Sequence, residues 1–220
     1  MEGGDYPAVD VELHPGRLNF TLVHGSARHR VEIAQRGLHN VRNALGAIAI
    51  AHRWGVDLGD ACTAIRDFRG VARRFDVRGS ARGAIFVDDY AHLPAEISAT
   101  LAAARAEAGR RRIIAVFQPN RFNRMDKMSG DYRDAFVDAD VTLITEIYAS
   151  GTAPIAGVSG SRVVDAIRAA HPRADVRWCP SRETLIDGVL DVVRAGDICV
   201  SMGCGDIEHL PSQVMSRIGS

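Results

Sequence analysis

The distribution of apolar and polar residues divides the chain into two parts with different secondary structure. The first part contains three short segments in which apolar and polar residues alternate, with turn residues between them. This pattern predicts an antiparallel meander with strands at residues 9–13, 17–23 and 28–34. Two helices are predicted next, at about residues 40–54 and 58–68, because apolar residues recur there at helical spacing.

From residue 71 onward, continuous apolar runs alternate with amphipathic helices. The runs predict strands at residues 75–78, 84–87, 113–117, 141–147, 175–178 and 198–202. Helices are predicted between them at residues 94–108, 131–138, 161–170 and 182–194. Strands that are apolar along their whole length are typical of a mainly parallel sheet covered by helices on both faces. We therefore predict an α/β, Rossmann-like doubly wound domain over residues 71–220, preceded by a smaller piece over residues 1–70.

Composition narrows the possible functions. The formal net charge is zero over 220 residues, which excludes the broad basic surface typical of nucleic-acid-binding proteins. Lys127 is the only lysine, and no Gly-rich loop ending in Gly-Lys-Ser or Gly-Lys-Thr occurs, so the sequence has no P-loop. The four cysteines lack CxxC and zinc-site spacing, which favours reduced thiols. Without a signal-peptide pattern or a membrane-length apolar run, we expect a cytoplasmic protein with no membrane or nucleic-acid partner.

Polar side chains follow several of the predicted strands at the point where each strand ends. Asp88, Asp89 and His92 follow one strand, and Arg121 and Arg124 follow the next along the chain. Since parallel strands bring their carboxyl ends to one edge of a sheet, we expect these groups to surround one cleft. Two arginines three residues apart suit a carboxylate or phosphate ligand. The alternatives are an aspartate that caps a helix, a solvated histidine and a surface arginine pair.

Six motifs in order resemble the C-terminal half of the Mur ligase family, most closely its alanine-adding members. The resemblance runs from about residue 37 to residue 210. The motifs are His39-Asn40-Val41-Arg42-Asn43-Ala44-Leu45, Arg73-Arg74-Phe75, Asp88-Asp89-Tyr90-Ala91-His92, Phe117-Gln118-Pro119 with Arg121 and Arg124, Ile147-Tyr148-Ala149, and Gly203-Cys204-Gly205-Asp206-Ile207.

This resemblance implies an enzyme, an ADP-forming acid–amino-acid ligase of cell-wall peptidoglycan synthesis. Such enzymes use ATP and Mg²⁺ to join an amino acid to a carboxylate through an acyl phosphate. Residues 1–70 would be part of a central ATPase domain that lacks its P-loop, and residues 71–220 would be the C-terminal Rossmann-like domain. We therefore expect the chain to be incomplete and inactive by itself, with the magnesium ligands on the missing half. Its partners would be an amino-acid substrate and a P-loop-containing N-terminal half, or a second copy of the chain.

The resemblance also implies roles for individual residues. Nucleotide binding would involve a set of polar and basic side chains, namely His39, Asn40, Asn43, Arg74 and Asp89. Asp89 and His92 would be the catalytic pair that orients the nucleotide. Amino-acid binding would involve a second set that can hold a carboxylate, namely Asn120, Arg121, Arg124 and Tyr148. No metal ligand is expected within this chain.

The sequence departs from the alanine-adding pattern at two places. Those ligases usually have two adjacent histidines where this chain has His92-Leu93, and they read HRYSRT where this chain reads Asn120 to Met125. Two explanations of these departures are equally favoured. The chain could come from a paralogue of specialised metabolism that uses a different amine, or from an alanine-adding enzyme whose sequence has diverged. A non-catalytic nucleotide- or amino-acid-binding module is a further alternative. A self-contained Rossmann dehydrogenase is disfavoured because no GxGxxG follows the first strand of either part.

Overall fold

The computed structural model describes residues 4–219, which separate into two compact units with the division between Val71 and Ala72. The first unit has an antiparallel sheet in the order β1 (Ala8–His14), β2 (Arg17–His24) and β3 (Ala27–Ile33). Two helices follow, α1 (Leu38–Arg53) and α2 (Leu58–Ala64), and α2 continues as a 3-10 turn over Ile65–Asp67. The predicted meander and both helices are therefore present, although the second helix is shorter than predicted.

The core of the first unit follows from the alternation along β2. Leu18, Phe20 and Leu22 are buried on one face of the sheet, and they belong to the same apolar cluster as Val41 and Ile48 of α1. Alternate residues of a strand point to opposite faces, so one face of this short sheet is enough to anchor α1.

The second unit is a longer alternation of strands and helices. It contains β4 (Asp76–Ala81), β5 (Ala84–Asp89), α3 (Pro94–Ala108), β6 (Ile113–Phe117), α4 (Phe122–Met128), β7 (Val141–Thr145), α5 (Ser161–Ala170), β8 (Val176–Cys179), α6 (Arg182–Val192), β9 (Ile198–Met202) and α7 (Leu210–Gly219). Two 3-10 turns, Ser129–Asp134 and Asp206–His209, complete it. No helix among residues 4–219 is both long enough and apolar enough to cross a membrane.

The six strands form one sheet in the order β4-β5-β9-β6-β7-β8. Only β4 runs antiparallel to its neighbour, and the other four pairings are parallel. The last strand, β9, lies between β5 and β6, where Met202 is in register with both Asp89 and Phe117. The carboxyl ends of these three strands therefore lie level with one another at one edge of the sheet.

Helices cover both faces of this sheet, which confirms the doubly wound prediction. Val200 of β9 belongs to one apolar cluster with α3 and α5, whereas its neighbour Cys199 belongs to another with α6 and α7. All five residues of Ile113–Phe117 are buried because both of their faces are covered. This explains why the central strands are continuous apolar runs in the sequence.

Three predictions about elements of the second unit were wrong in detail. The helix predicted at residues 131–138 is replaced by α4 and the 3-10 turn Ser129–Asp134, which turns Tyr132 inward until it is fully buried. The ring of Tyr132 stacks on that of Phe117, with 5.4 Å between the ring centroids. The strand predicted to reach residue 147 ends at Thr145, and α7 was not predicted.

Candidate functional site

The polar strand ends of the second unit come together, as the sequence predicts. Asp89 ends β5, while the loops that follow β9, β6 and β7 begin at Gly203, Gln118 and Glu146. All four positions lie at the carboxyl edge of the parallel strands, where open α/β sheets bind ligands. The motif at residues 39–43 belongs to the first unit and is described by itself.

The three polar residues of that motif form a linked row over the first two turns of α1. The Nδ2 atom of Asn40 donates to the carbonyl oxygen of Arg36 at 2.8 Å and lies 3.2 Å from Nε2 of His39. Asn43 in turn donates to Oδ1 of Asn40 at 3.0 Å. The helix begins at Leu38 after Gly37, so Asn40 does not act as its N-cap. The row presents amide and imidazole groups, which can match the edge of a base.

Asp89 uses both of its carboxylate oxygens to hold the backbone. Oδ1 accepts from the N–H of Ala91 at 2.8 Å, and Oδ2 accepts from the N–H of Phe75 at 2.7 Å. Burial raises the pKa of Asp89, although these two backbone donors and the nearby Arg74 act in the opposite direction. Asp89 therefore holds the segment that contains Arg74.

Arg74 is exposed and faces an aromatic ring that sequence reasoning did not single out. Its guanidinium carbon lies 5.5 Å from the ring centroid of Tyr90, and that of Arg73 lies 5.1 Å from the same centroid. The His92 ring meets Tyr90 edge-on, with 5.5 Å between the centroids. Cation–π contacts hold guanidinium groups over such a ring without neutralising their charge. Tyr90 and Arg74 thus form an exposed, positively charged arm, which we call the Arg74–Tyr90 arm. The signal for Tyr90 was its position inside the Asp88–His92 motif.

His92 is held by the start of α3. Its Nδ1 atom lies 3.0 Å from the carbonyl oxygen of Tyr90 and 3.3 Å from a carboxylate oxygen of Glu96. The same Glu96 oxygen accepts from the backbone N–H of His92 at 2.9 Å. Two acceptors beside Nδ1 favour the tautomer with its proton there, which leaves Nε2 as an acceptor. The carbonyl oxygen of His92 accepts from the Tyr132 hydroxyl at 2.8 Å, so α3 and the 3-10 turn fix this residue from two sides.

The four residues predicted to bind an amino acid lie together. Asn120 and Tyr148 form a parallel bridge, in which the N–H of Arg121 donates to the carbonyl oxygen of Tyr148 at 2.9 Å. The buried Asn120 accepts from Nη1 of Arg124 at 2.6 Å. Because that amide is neutral, the bond orients Arg124 without cancelling its charge. Arg121 is exposed and has a φ of 64°, in the left-handed region that non-glycine residues rarely adopt.

The loop after β9, residues 203–209, closes against these groups and is called the β9 loop. A Cβ atom on Gly205 would lie 2.5 Å from Cγ of Tyr148 and 2.6 Å from Oε1 of Gln118, so the close approach requires glycine. Gln118 donates to Asp206 at 2.7 Å, and Arg182 pairs with the same carboxylate at 2.7 Å. A cleft of about 490 Å³ is lined by Gln118, Tyr148, Arg182 and Asp206, together with residues 145–147 and 149–151, but not by Arg121 or Arg124.

Cys204 of the β9 loop is half-buried. Burial raises the pKa of its thiol, while the charges of Arg124, Arg121 and Arg73 act in the opposite direction. Sequence reasoning assigned no role to Gln118, Asp206 or Arg182. The first two lie inside the motifs, but Arg182 carried no signal.

Comparison with known proteins identifies the family. Residues 73–205 match the family model described as Mur ligase, glutamate ligase domain. UDP-N-acetylmuramate–L-alanine ligase from Anaeromyxobacter dehalogenans (strain 2CP-1) is 43% identical over 215 residues, which cover 97% of this chain and 46% of that protein. The enzyme of the same name from Geobacter sp. (strain M21) is 37% identical with the same coverage. The chain thus spans about half the length of these relatives.

A solved structure agrees with the sequence matches. The crystal structure of UDP-N-acetylmuramate-alanine ligase from Thermotoga maritima superimposes with a TM-score of 0.82 at 25% identity, covering all of this chain and 47% of that one. A murein peptide ligase from Psychrobacter arcticus gives a TM-score of 0.72 at 27% identity over 98% of this chain. The family model covers most of the second unit, and the motif residues it contains meet at one sheet edge. This chain belongs to the Mur ligase family.

Proposed function

We propose that this chain supplies the C-terminal part of an ATP-dependent, ADP-forming ligase that joins an amino acid to a carboxylate through an acyl phosphate. The observation that supports this most is the placement of the Arg74–Tyr90 arm and the Arg121–Arg124 pair at the same edge of the sheet, on either side of β9. Its relatives are named UDP-N-acetylmuramate–L-alanine ligase, so we take UDP-N-acetylmuramate and L-alanine as the substrates to test first. A cytoplasmic location is part of the same proposal, and Cys62, Cys179, Cys199 and Cys204 are all free thiols.

The two groups of basic residues suit the two negatively charged ligands of such a reaction, ATP and the carboxylate of the amino acid. Arg74 would meet phosphate or ribose oxygens of ATP, and His92, with Nε2 free to accept, would orient the nucleotide beside it. Arg121 and Arg124 would hold the carboxylate of the incoming amino acid, so that its amine can approach the acyl phosphate. Catalysis by this half would then consist of positioning and of neutralising charge.

We expect the magnesium ligands to lie in another part of the enzyme. Among residues 4–219, no three His, Cys, Asp or Glu side chains group as a metal site would require. Both oxygens of Asp89 are already bonded to backbone N–H groups. The family resemblance implies that the magnesium ligands, like the P-loop, lie on a partner half that is either a separate chain or a further part of the same polypeptide.

The first experiment measures phosphate release. With Mg²⁺, ATP, UDP-N-acetylmuramate and L-alanine, the purified 220-residue chain is expected to release no phosphate. Addition of a P-loop-containing N-terminal half should start ADP formation that depends on the amino acid. Turnover by the chain alone, with contaminating ATPase excluded by a purified inactive variant, would contradict the division of labour proposed here.

The second experiment tests the amino-acid site in the reconstituted enzyme. Loss of a charge-assisted fork costs about 1.5–3 kcal/mol, so Arg121→Ala should raise the KM for the amino acid roughly ten- to a hundredfold. Arg121→Lys should recover only part of this, because an ammonium group keeps the charge but not the fork. Arg133→Ala, which removes an exposed arginine paired with Asp134, serves as the matched control. If Arg121→Ala raises the KM for ATP instead, Arg121 serves the nucleotide.

A further inference from the structure

The segment that carries Arg74 is held in an unfavourable backbone conformation. Arg73 has a φ of 61° and Phe75 a φ of 49°, both in the left-handed region. Non-glycine residues in this region are strained, and they persist only where their surroundings fix them. The interactions that fix them therefore point to what the segment does.

The guanidinium group of Arg73 binds to two different elements, and these contacts hold the residue in place. Its Nε donates to Oδ2 of Asp88, at the end of β5, at 2.9 Å. Its Nη2 donates to the carbonyl oxygen of Gly203, at the start of the β9 loop, at 2.8 Å. Glu208, at the other end of that loop, lies 3.1 Å from Nε. One side chain thus bridges the end of β5 and both ends of the β9 loop.

Asp88 makes this bridge difficult to remove. The carboxylate is fully buried, so burial raises its pKa, while the hydrogen bond and charge of Arg73 lower it. Removing the partner of a buried carboxylate strongly destabilises the folded protein. The backbone of Arg73 is also held, since its carbonyl oxygen accepts from the N–H of Tyr90 at 2.7 Å.

We propose that Arg73 is a positioning residue that ties the Arg74–Tyr90 arm to the β9 loop, so that the two ligand sites keep a fixed relative position. The arm lies on one side of the bridge. On the other side, the β9 loop packs on Tyr148, which is bridged to Asn120, the residue that accepts from Arg124. The inference rests on the proposed function for the identity of the two ligands, but the bridge itself can be tested without them.

The test compares Arg73→Lys and Arg73→Met with the wild-type full chain by hydrogen–deuterium exchange. A lysine has one ammonium group, which can neutralise Asp88 but cannot also span to Gly203. We therefore expect Arg73→Lys to speed exchange in residues 203–209 by about tenfold or more, with little change in residues 72–76. Arg73→Met should speed exchange in both segments. Arg78→Met is the matched control, because Arg78 approaches the same carboxylate, at 4.0 Å, from β4.

A second measurement, ADP affinity by calorimetry with the P-loop-containing N-terminal half present, separates this inference from the proposed function. ADP should bind about tenfold more weakly to Arg73→Met, with partial recovery in Arg73→Lys, and the control should bind as the wild type does. Equal exchange of residues 203–209 in Arg73→Lys and wild type would overturn the bridge, whatever ADP does. Absence of ADP binding by the wild type would instead count against the proposed function. If Arg73→Met fails to fold, the lysine variant still decides.

Discussion

Replacement of Asp89 by alanine should destabilise the second unit more than loss of a surface aspartate does. Asp89 is 4% exposed, and its two oxygens accept from the backbone N–H groups of Phe75 and Ala91 at 2.7 and 2.8 Å. Alanine would leave both donors without these acceptors. It would also release Phe75, whose positive φ depends on being held.

The expected magnitude follows from these contacts. Each buried donor that loses its partner costs about 1–3 kcal/mol. Part of this is offset because the variant no longer buries a carboxylate whose pKa burial has raised. We therefore expect Asp89→Ala to lower the free energy of unfolding by about 2–4 kcal/mol. Asp89→Asn keeps the shape and one acceptor oxygen, so it should cost about 1–3 kcal/mol, the loss of one bond.

Urea unfolding of the full chain measures this difference. A Trp54→Phe background leaves Trp178, on β8, to report on the second unit alone. Asp187→Ala is the control, because its carboxylate is 56% exposed and pairs with Arg217 at the surface, where loss of a pair costs about 0.5 kcal/mol or less. The reasoning is refuted if Asp89→Ala falls within that range and the Phe75 amide keeps its protection from hydrogen exchange.

Three further predictions concern residues around the site and the sheet. Burial raises the pKa of Tyr132 to about 12, so its stabilising effect should persist below its unfolded pKa of 10.0 and be lost as the pH rises towards 12; a phenolate titration checks this, and Tyr132→Phe should remove the step. Burial raises the pKa of Asp140, but the Ile113 N–H and the Arg105 guanidinium outweigh it and lower the pKa overall. Its contribution is therefore present above the unfolded pKa of 3.8 and lost as the pH falls through the folded value, and Asp140→Asn should flatten the acid side of the stability–pH curve. Gly205→Ala should displace the ring of Tyr148, visible as a changed tyrosine fluorescence and as faster exchange in residues 203–209.

The sheet of the second unit could be predicted because a strand that is buried on both faces consists of consecutive apolar residues. A strand such as Ile113–Phe117 must be apolar throughout, and its polar continuation from Gln118 marks where the carboxyl end meets solvent. The same reasoning located Asp89 and the Arg121–Arg124 pair at one edge. The sequence around each strand is sufficient here, because the change from apolar to polar residues marks the end of that strand without reference to the rest of the chain.

The contacts of these residues could not be predicted in the same way. Arg73 and Gly203 are 130 positions apart, and they meet only because β9 inserts between β5 and β6. Strand order is not encoded in the apolar period of any single strand. For the same reason, the sequence placed Asp89 at the site but did not reveal that its two oxygens accept from the backbone N–H groups of Phe75 and Ala91.

The position of β9 has a consequence for how the site is assembled. The last strand of the chain is central in the sheet, and its end contributes to both sides of the candidate site. The N–H of Gly203 donates to the carbonyl oxygen of Asp89 at 3.2 Å, and the N–H of Gln118 donates to that of Met202 at 3.0 Å. The groups on β5 and β6 are therefore not adjacent to each other, and β9 joins them. The relative position of the Arg74–Tyr90 arm and the Arg121–Arg124 pair therefore depends on β9, because β9 pairs with β5 on one side and with β6 on the other.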